Sequence, residues 1–325
     1  TIYGQNKEKA IGIRADIDAL PITEQTDFPY KSQIPGVMHA CGHDGHATMG
    51  LYTVLALNEI KDELCGTIKM IFQPAEEGVK GAQSVAESGI LDDVDMFFSS
   101  HLGMGYKTGE LIGLTKDFLS TTKIDATFHG VASHAGMTPQ EGRSAILAAS
   151  AACLAMHTAC QDSRGASRIN VGVLNAGTGR NVLPDIAVLK METRGATTEI
   201  NEFMVGEAKR MLQAAADLYD VSVTITKAGS APACVADFEL GKEVAEIAKA
   251  SGQYNEIIDY MDMGGSEDCA YFMERVQQNG GRALYMMYGA TIAAGHHNSH
   301  FDFNEACLWK AAGLLTTLAV AYTHK

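Results

Sequence analysis

Three short apolar runs each end on residues capable of chemistry, and the stretches between them carry a helical pattern. Ile11 to Asp16 (IGIRAD) reads as a strand running into the turn-like DIDALP, Thr67 to Gln73 (TIKMIFQ) stops at Pro74, and Val94 to Ser100 (VDMFFSS) stops at His101. Between the first two, Leu51, Val54, Leu55 and Leu57 recur at helical spacing within 46–63, and 82–88 reads as a helix before the third. Strands alternating with helices predict an α/β fold, a doubly wound, mainly parallel sheet covered on both faces. Ligands bind beyond the carboxyl ends of such strands, so the residues that follow each run matter most.

The middle of the chain has a different rhythm. Residues 123–129 alternate like a half-buried strand, and the Ala-rich stretch 139–161 reads as one helix. Strands at 167–173 and 187–193 follow, then a helix over 198–218 with Ile200, Phe203, Met211 and Leu212 on its apolar side, and a last strand at 221–226. Strand, helix, strand, strand, helix, strand is the order of a ferredoxin-like α+β unit. It is expected over 115–229, inserted into a larger domain made of 1–114 and 230–325. Helices at 239–250 and 266–278, a strand at 283–288 and a closing helix from 304 to about 322 complete the pattern.

The 325 residues suffice for about two domains. A net charge of −14 with scattered basic residues argues against nucleic acid or an anionic membrane as partner. Seven cysteines, an odd number without framework spacing, read as free thiols of a reducing compartment. The opening TIYGQNKEKA has no signal-peptide core, and no apolar run approaches the roughly 18–20 residues of a membrane span, so a cytoplasmic protein is expected. The chain has no Walker loop, dinucleotide fingerprint or GxSxG elbow, which argues against phosphoryl transfer, hydride transfer and serine hydrolase chemistry.

HACGHDGH (39–46) sets a cysteine, three histidines and an aspartate at the entrance to a helix. A thiolate and an imidazole two residues apart can reach one zinc, manganese or cobalt ion. A buried cysteine beside capping residues is the plainer alternative, but three loop histidines bury badly unless something binds them. QPAEEG (73–78) places Glu76 and Glu77 just past a strand, where one can bind metal while the other takes a proton. Alone, such a pair is more often a solvated surface feature. His101, and His296 or His297, also follow strands, and it is the coincidence at one sheet edge that carries weight. In the inserted unit His134, Asn181 and Arg194 could supply a donor, an amide and a carboxylate clamp, although turn chemistry accounts for their Gly and Pro neighbours. Met261, Met263, Met286, Met287 and the other cysteines read as core.

RADIDALP (14–21), HACGHDGH, QPAEEG, SHAG (133–136), NVLP (181–184), GSED (265–268) and HNSHFDFNE (297–305) together resemble the co-catalytic metallopeptidase and aminoacylase family, in order and over essentially the whole chain. IFQPAEEG, GASRINVGV, GTGRNVLP, METRGA and AAGHHN are most similar to its p-aminobenzoyl-glutamate hydrolase branch. The resemblance implies two divalent metal ions, Mn or Zn, held by Cys41, His43, Glu77, His101 and His297. His297 is preferred to His296 or His300 from the HNSHF pattern. Glu76 falls on the family's general-base position, and His134, Asn181 and Arg194 on positions that hold substrate, often in a neighbouring subunit's site. The implied reaction is hydrolysis of an N-acyl amino acid, with p-aminobenzoyl-glutamate as the leading substrate. A broader N-acyl-amino-acid deacylase or dipeptidase is the alternative, and a non-catalytic partner subunit is the alternative of another class. The resemblance also implies that 1–114 and 230–325 make a metal-binding catalytic domain and the inserted unit a lid or dimerisation domain, through which a homodimer, or a heterodimer with a related subunit, is expected. Two departures stand out. Many relatives place a metal-binding histidine where this chain has Asp16, and relatives carry a segment ahead of RADIDALP, so a truncated N-terminus is expected here.

Overall fold

The computed structural model describes residues 1–159 and 161–323. They form two compact units, Thr1–Asp117 with Cys234–Lys325, and Phe118–Ala233. The first unit opens with β1 (Ile2–Tyr3), β2 (Ala10–Asp16), α1 (His43–Glu59), β3 (Thr67–Gln73), α2 (Gly81–Glu87), β4 (Met96–Leu102), β5 (Glu110–Ile112) and β6 (Thr115–Lys116). The second holds β7 (Ser120–His129), β8 (Ser133–His134), α3 (Ala145–Met156), β9 (Ser167–Ala176), β10 (Val182–Leu183), β11 (Ile186–Gly195), α4 (Thr198–Leu218) and β12 (Ser222–Ala231). The chain then returns to the first unit with α5 (Phe238–Ser251), β13 (Glu256–Ile258), β14 (Met261–Asp262), α6 (Ala270–Gln278), β15 (Arg282–Tyr288) and α7 (Ala306–Thr323).

The first unit is built on a seven-stranded sheet in the order β1-β3-β2-β4-β15-β5-β13. Its centre is parallel: β2 pairs with β3 and β4, and β4 with β15. Every residue of β2 is buried, which is why its sequence reads as a continuous run instead of an alternating one. Arg14 and Asp16 are the charged exceptions within it, and they neutralise each other. Helix α1 presents His43, His46, Met49, Gly50, Thr53 and Leu57 to the interior. A Cβ at Gly50 would stand 2.2 Å from the tip of the Met70 side chain and 3.2–3.3 Å from Phe72 and Ala15, so the close packing of this helix on the sheet is eased by a residue without a side chain at position 50. Helix α5 starts where the Asp237 side chain accepts from Leu240 N at 2.8 Å and stops at Gly252 (φ 64).

Among the described residues one helix, α7, is long and apolar enough to cross a membrane, contrary to the sequence expectation of no such run. Its Ala311, Leu314, Leu315, Leu318 and Ala319 are buried and it packs on α1, so the apolar face serves the core. Met286 and Met287 are core residues as expected, whereas Met261 and Met263 are only half-buried.

The second unit has an antiparallel sheet in the order β12-β7-β11-β9. Ile124, Phe128 and Leu189 of the strands pack with Ala148 and Ala152 of α3 and Leu212 of α4. The helix expected over 139–161 is shorter than the Ala content suggested. Residues 139–141 make a separate 3-10 turn, Gly142 is extended at φ −91 and ψ 158, and α3 begins only at Ala145. Pro139 suits the start of a turn and Gly142 breaks its continuation. Cys160, near the expected end of that helix, lies outside the described residues.

Candidate metal centre

The first unit's parallel strands deliver their polar ends to one place. Cys41 sits just before α1 and His43 is the first residue of that helix. The Gly42 between them has φ 89, a left-handed turn that glycine makes without strain. Glu76 and Glu77 occupy the turn after β3, where Ala75 (φ 60) and Val79 (φ 48) are also left-handed. A β-branched residue in that region is strained, and His297, at φ 64, makes a third non-glycine example in these loops. His297 is tied back to the cysteine loop by its backbone N–H, which donates to Ala40 O at 2.7 Å.

Cys41, His43 and Glu77 bring their donor atoms within 4.8 Å of one another. Cys41 Sγ lies 3.5 Å from His101 Nε2, and Glu77 Oε1 lies 3.4 Å from His297 Nε2. One thiol, three imidazoles and a carboxylate from four separate segments therefore form a continuous cluster.

Hydrogen bonding decides which ring nitrogens are available. His43 Nδ1 lies 2.9 Å from the Asp18 carbonyl oxygen, which only accepts, so Nδ1 carries a hydrogen and Nε2 is the nitrogen left to face a cation. His43 Nε2 is buried without a hydrogen-bond partner among the described residues, its nearest carboxylate oxygen being Asp16 Oδ2 at 3.6 Å. His101 repeats the arrangement, with Nδ1 donating to Leu102 O at 2.8 Å and Nε2 turned to the thiol. Orienting a ligand histidine through its second nitrogen is characteristic of metal sites.

His46 is equally close, within the His43–His46–His101 group, but both of its nitrogens are engaged. Nδ1 donates to Asp16, and Nε2 accepts from Leu102 N at 2.9 Å. Sequence reasoning gave His46 no role, and its place is as a brace between β2, α1 and β4. His296 is engaged through one nitrogen only: Nε2 accepts from Met104 N at 3.2 Å, while Nδ1 lies 3.6 Å from Cys41 Sγ, which groups it with Cys41 and His101 as a candidate ligand beside His297. Burial, aided by His297, pushes His296 down to about 4.

The electrostatics call for added positive charge. Burial, with Glu77 and Glu76 nearby, drives the Cys41 thiol far above its ordinary range. Burial alone would lower His43, yet its hydrogen bond to Asp18 and the Asp16 carboxylate outweigh this and lift it to about 9. The pocket thus holds more negative charge than its own side chains cancel, and a soft-to-borderline donor set of S, N and O suits zinc or manganese.

Glu76 stands apart from that donor set, grouped with Glu267 and Asp268. Burial and the Glu267 carboxylate raise its carboxyl well above the usual range. Glu267 is pinned by Arg14 Nη2 at 2.9 Å and by the Tyr285 hydroxyl at 2.8 Å. Asp268 accepts from Gln73 Nε2 at 2.6 Å and from the backbone N–H groups of Gly81 and Ala82 at 3.1 and 3.0 Å, which anchors the glutamate turn. Asp18 accepts from Glu77 N at 3.1 Å. These supports lay inside the RADIDALP and GSED motifs, but only the fold shows what they touch.

His134, Asn181 and Arg194 belong to the second unit. His134 and Asn181 come together there: Ala135 N donates to Asn181 O at 2.9 Å, and His134 Nδ1 accepts from Gly136 N and Met137 N at 3.2 and 3.1 Å. Arg194, near the far end of β11, pairs with Glu192 at 2.9 Å and lines a cavity of about 480 Å³ with Arg168 and Asn170.

Residues 12–321 match the model of peptidase family M20/M25/M40. The chain belongs to that family. An indole-3-acetyl-aspartic acid hydrolase from Enterobacter agglomerans is 42% identical over 320 residues, 96% of this chain and 73% of that protein. A p-aminobenzoyl-glutamate hydrolase subunit from Escherichia coli K12 is also 42% identical, over 324 residues, with the same coverage. Among solved structures, an aminobenzoyl-glutamate utilization protein from Klebsiella pneumoniae superposes with a TM-score of 0.79 at 35% identity, over 96% of this chain and 70% of that one. A Bacillus subtilis protein described as a dinuclear metal-binding peptidase of the M20 family gives 0.73 at 28% identity, over 99% and 83%. As an M20 member the chain is a metal-dependent hydrolase of amide bonds, and its mainly parallel α/β sheet is the M20 fold.

Proposed function

We propose that this protein hydrolyses the amide bond between an aromatic acyl group and an acidic amino acid, with p-aminobenzoyl-glutamate the leading substrate. The observation that carries this reading is the cluster of Cys41, His43, Glu77, His101 and His297 beside the buried Glu76. The 42% identity to hydrolases of p-aminobenzoyl-glutamate and indole-3-acetyl-aspartate supports the substrate class.

The five clustered residues would hold two divalent ions, manganese or zinc. Such ions, when bound, polarise the scissile carbonyl and make water acidic enough to act as a nucleophile near neutral pH. Glu76 accepts a proton from the attacking water and delivers it to the amide nitrogen as the C–N bond breaks. Its raised carboxyl suits both halves of that transfer, and the Arg14–Glu267–Asp268 network keeps the turn that bears it in place. His134 would donate to the oxygen that gains negative charge and Arg194 would grip the substrate's carboxylate, while Asn181, beside His134 and at the opposite end of β11 from Arg194, would hold substrate from a neighbouring subunit.

The second unit would serve as lid and dimerisation surface, partnered by a second copy or by a related chain. That the Escherichia coli relative is named as one subunit of its hydrolase supports a partnered assembly. Six described cysteines are unpaired, which favours a reducing compartment such as the cytoplasm.

The test is turnover of p-aminobenzoyl-glutamate by protein loaded with manganese or zinc, compared with a panel of acetylated amino acids and dipeptides. Glu76→Gln is expected to lower kcat by about 10²–10⁴ with metal content retained. A variant that keeps wild-type turnover would remove Glu76 from the mechanism.

A further inference from the structure

Beside the metal cluster the first unit carries a second concavity that the mechanism above leaves unused. It has a volume of about 280 Å³ and lies between the 24–39 loop and Phe301 to Phe303. Its floor is buried, with Met38 2% and Phe301 4% exposed. Its rim is apolar yet open to solvent, with Phe28 36%, Tyr30 63%, Ile34 65% and Val37 36% exposed. Four open apolar side chains within ten residues form a patch that folding alone does not require.

The loop that carries them is firmly built. Glu24 accepts from Ser32 N at 2.8 Å, Gln25 N donates to Ser299 O at 2.9 Å, and the rings of Phe28 and Tyr30 stack at 5.2 Å and 5°. Both walls continue into the metal cluster. Met38 leads through His39 and Ala40 to Cys41, and the Phe301 ring lies 5.1 Å from that of His296.

Glu24 and Ser32 of this concavity are spent on the loop's own hydrogen bonds, which leaves His39, Asp44 and Asp302 as the polar groups of its lining. His39 Nδ1 is buried without a hydrogen-bond partner among the described residues, and the carboxylates of Asp44 and Asp302 also line the concavity. An aromatic cleft with hydrogen-bond acceptors at its edge matches a flat ring bearing an N–H donor. The acyl groups named for both 42% relatives, p-aminobenzoyl and indole-3-acetyl, are such rings.

We propose that this pocket receives the aromatic acyl half of the substrate, its ring packed against Phe28, Tyr30 and Phe301 and its N–H donated to Asp44 or Asp302. The proposal rests on the N-acyl amino acid reading above and assigns the acyl specificity to residues outside the metal cluster. Such a pocket would discriminate by the ring and ignore the amino acid.

The experiment compares kcat/KM for p-aminobenzoyl-glutamate and N-acetyl-glutamate in the metal-loaded full chain, wild type against Phe28→Ala and Tyr30→Ala. A loss of about tenfold on the aromatic substrate with the acetyl substrate within about twofold is expected, the size of one or two aromatic contacts. Equal losses on both substrates, or none on either, would overturn it. Saturation-transfer NMR with p-aminobenzoate provides a readout independent of turnover. The ring protons should receive saturation from the wild type and much less from either variant. If wild type binds p-aminobenzoate in this way but hydrolyses no N-acyl amino acid, the hydrolase reading fails while the pocket stands. If wild type shows no transfer, or the variants match it, the pocket assignment is wrong.

Discussion

Arg14 Nη1 lies 2.7 Å from Asp16 Oδ2, and neither side chain is exposed. The same guanidinium reaches Glu267 at 2.9 Å and Gln73 Oε1 at 2.7 Å, so one side chain neutralises charge contributed by two separate parts of the sequence. Removing one member of a buried ion pair leaves the others unpaired, at a cost of about 3–5 kcal/mol. Arg14→Met should lower the unfolding free energy by that amount, read from the urea midpoint with an unchanged slope. A loss under about 1 kcal/mol would mean that water reaches the carboxylates and the network is dispensable.

Asp16 passes that charge on to His46, which touches no proposed substrate group yet spans three elements. Asp16→Asn keeps the shape but weakens the acceptor that orients His46 and faces His43. Supports of this kind are worth about 10–100-fold in metal affinity or activity. Metal titration by calorimetry, with circular dichroism to verify the fold, measures the effect. Wild-type affinity in the variant would reduce Asp16 to a packing role.

Chelation gives a third expectation. With thiol, imidazoles and carboxylates gathered in a half-buried cluster, loss of bound cations should abolish activity and lower Tm by several degrees, since binding to the native state alone stabilises it. Zinc and manganese re-addition in parallel, followed by Tm and turnover, would identify the working ion. A Tm indifferent to chelator would contradict the clustering argument.

Gly81 offers a test of the glutamate turn. A Cβ there would lie 1.7 Å from Pro74 O, a backbone atom that cannot swing aside, while Gly81 N holds Asp268. Gly81→Ala is expected to cost about 2 kcal/mol or more and to reduce kcat, because the displaced backbone is the one carrying Glu76 and Glu77. Thermal melts and steady-state kinetics on the same preparation would show both, and an unaffected melt would show that the turn can relax.

Much of the architecture could be read in advance because local patterns were unambiguous. β3 and α4 occupy the residues expected, 67–73 and 198–218, the first bounded by Pro74 and the second started by Thr197, whose side chain accepts from Ile200 N. The Ala-rich stretch departs from its pattern because alanine favours helix wherever it stands, whereas Pro139 and Gly142 interrupt the helix ahead of Ala145. At the site, the strand-end rule brought Glu76, Glu77, His101 and His297 to the same edge, but it could not say which nitrogen of which ring is free. That depends on carbonyls such as those of Asp18 and Leu102, whose positions exist only in the folded chain. His46 and His101 look alike in sequence and differ in the structure for that reason.

The pairing of β4 with β15 joins strands that are made far apart in time during translation, since the whole second unit is synthesised between them. Until β15 emerges from the ribosome, β4 presents an unsatisfied backbone flank rich in Phe and Ser. Nascent chains of this protein should therefore depend on chaperone cover through most of their elongation, and truncation anywhere before residue 288 should yield aggregates instead of a smaller soluble domain.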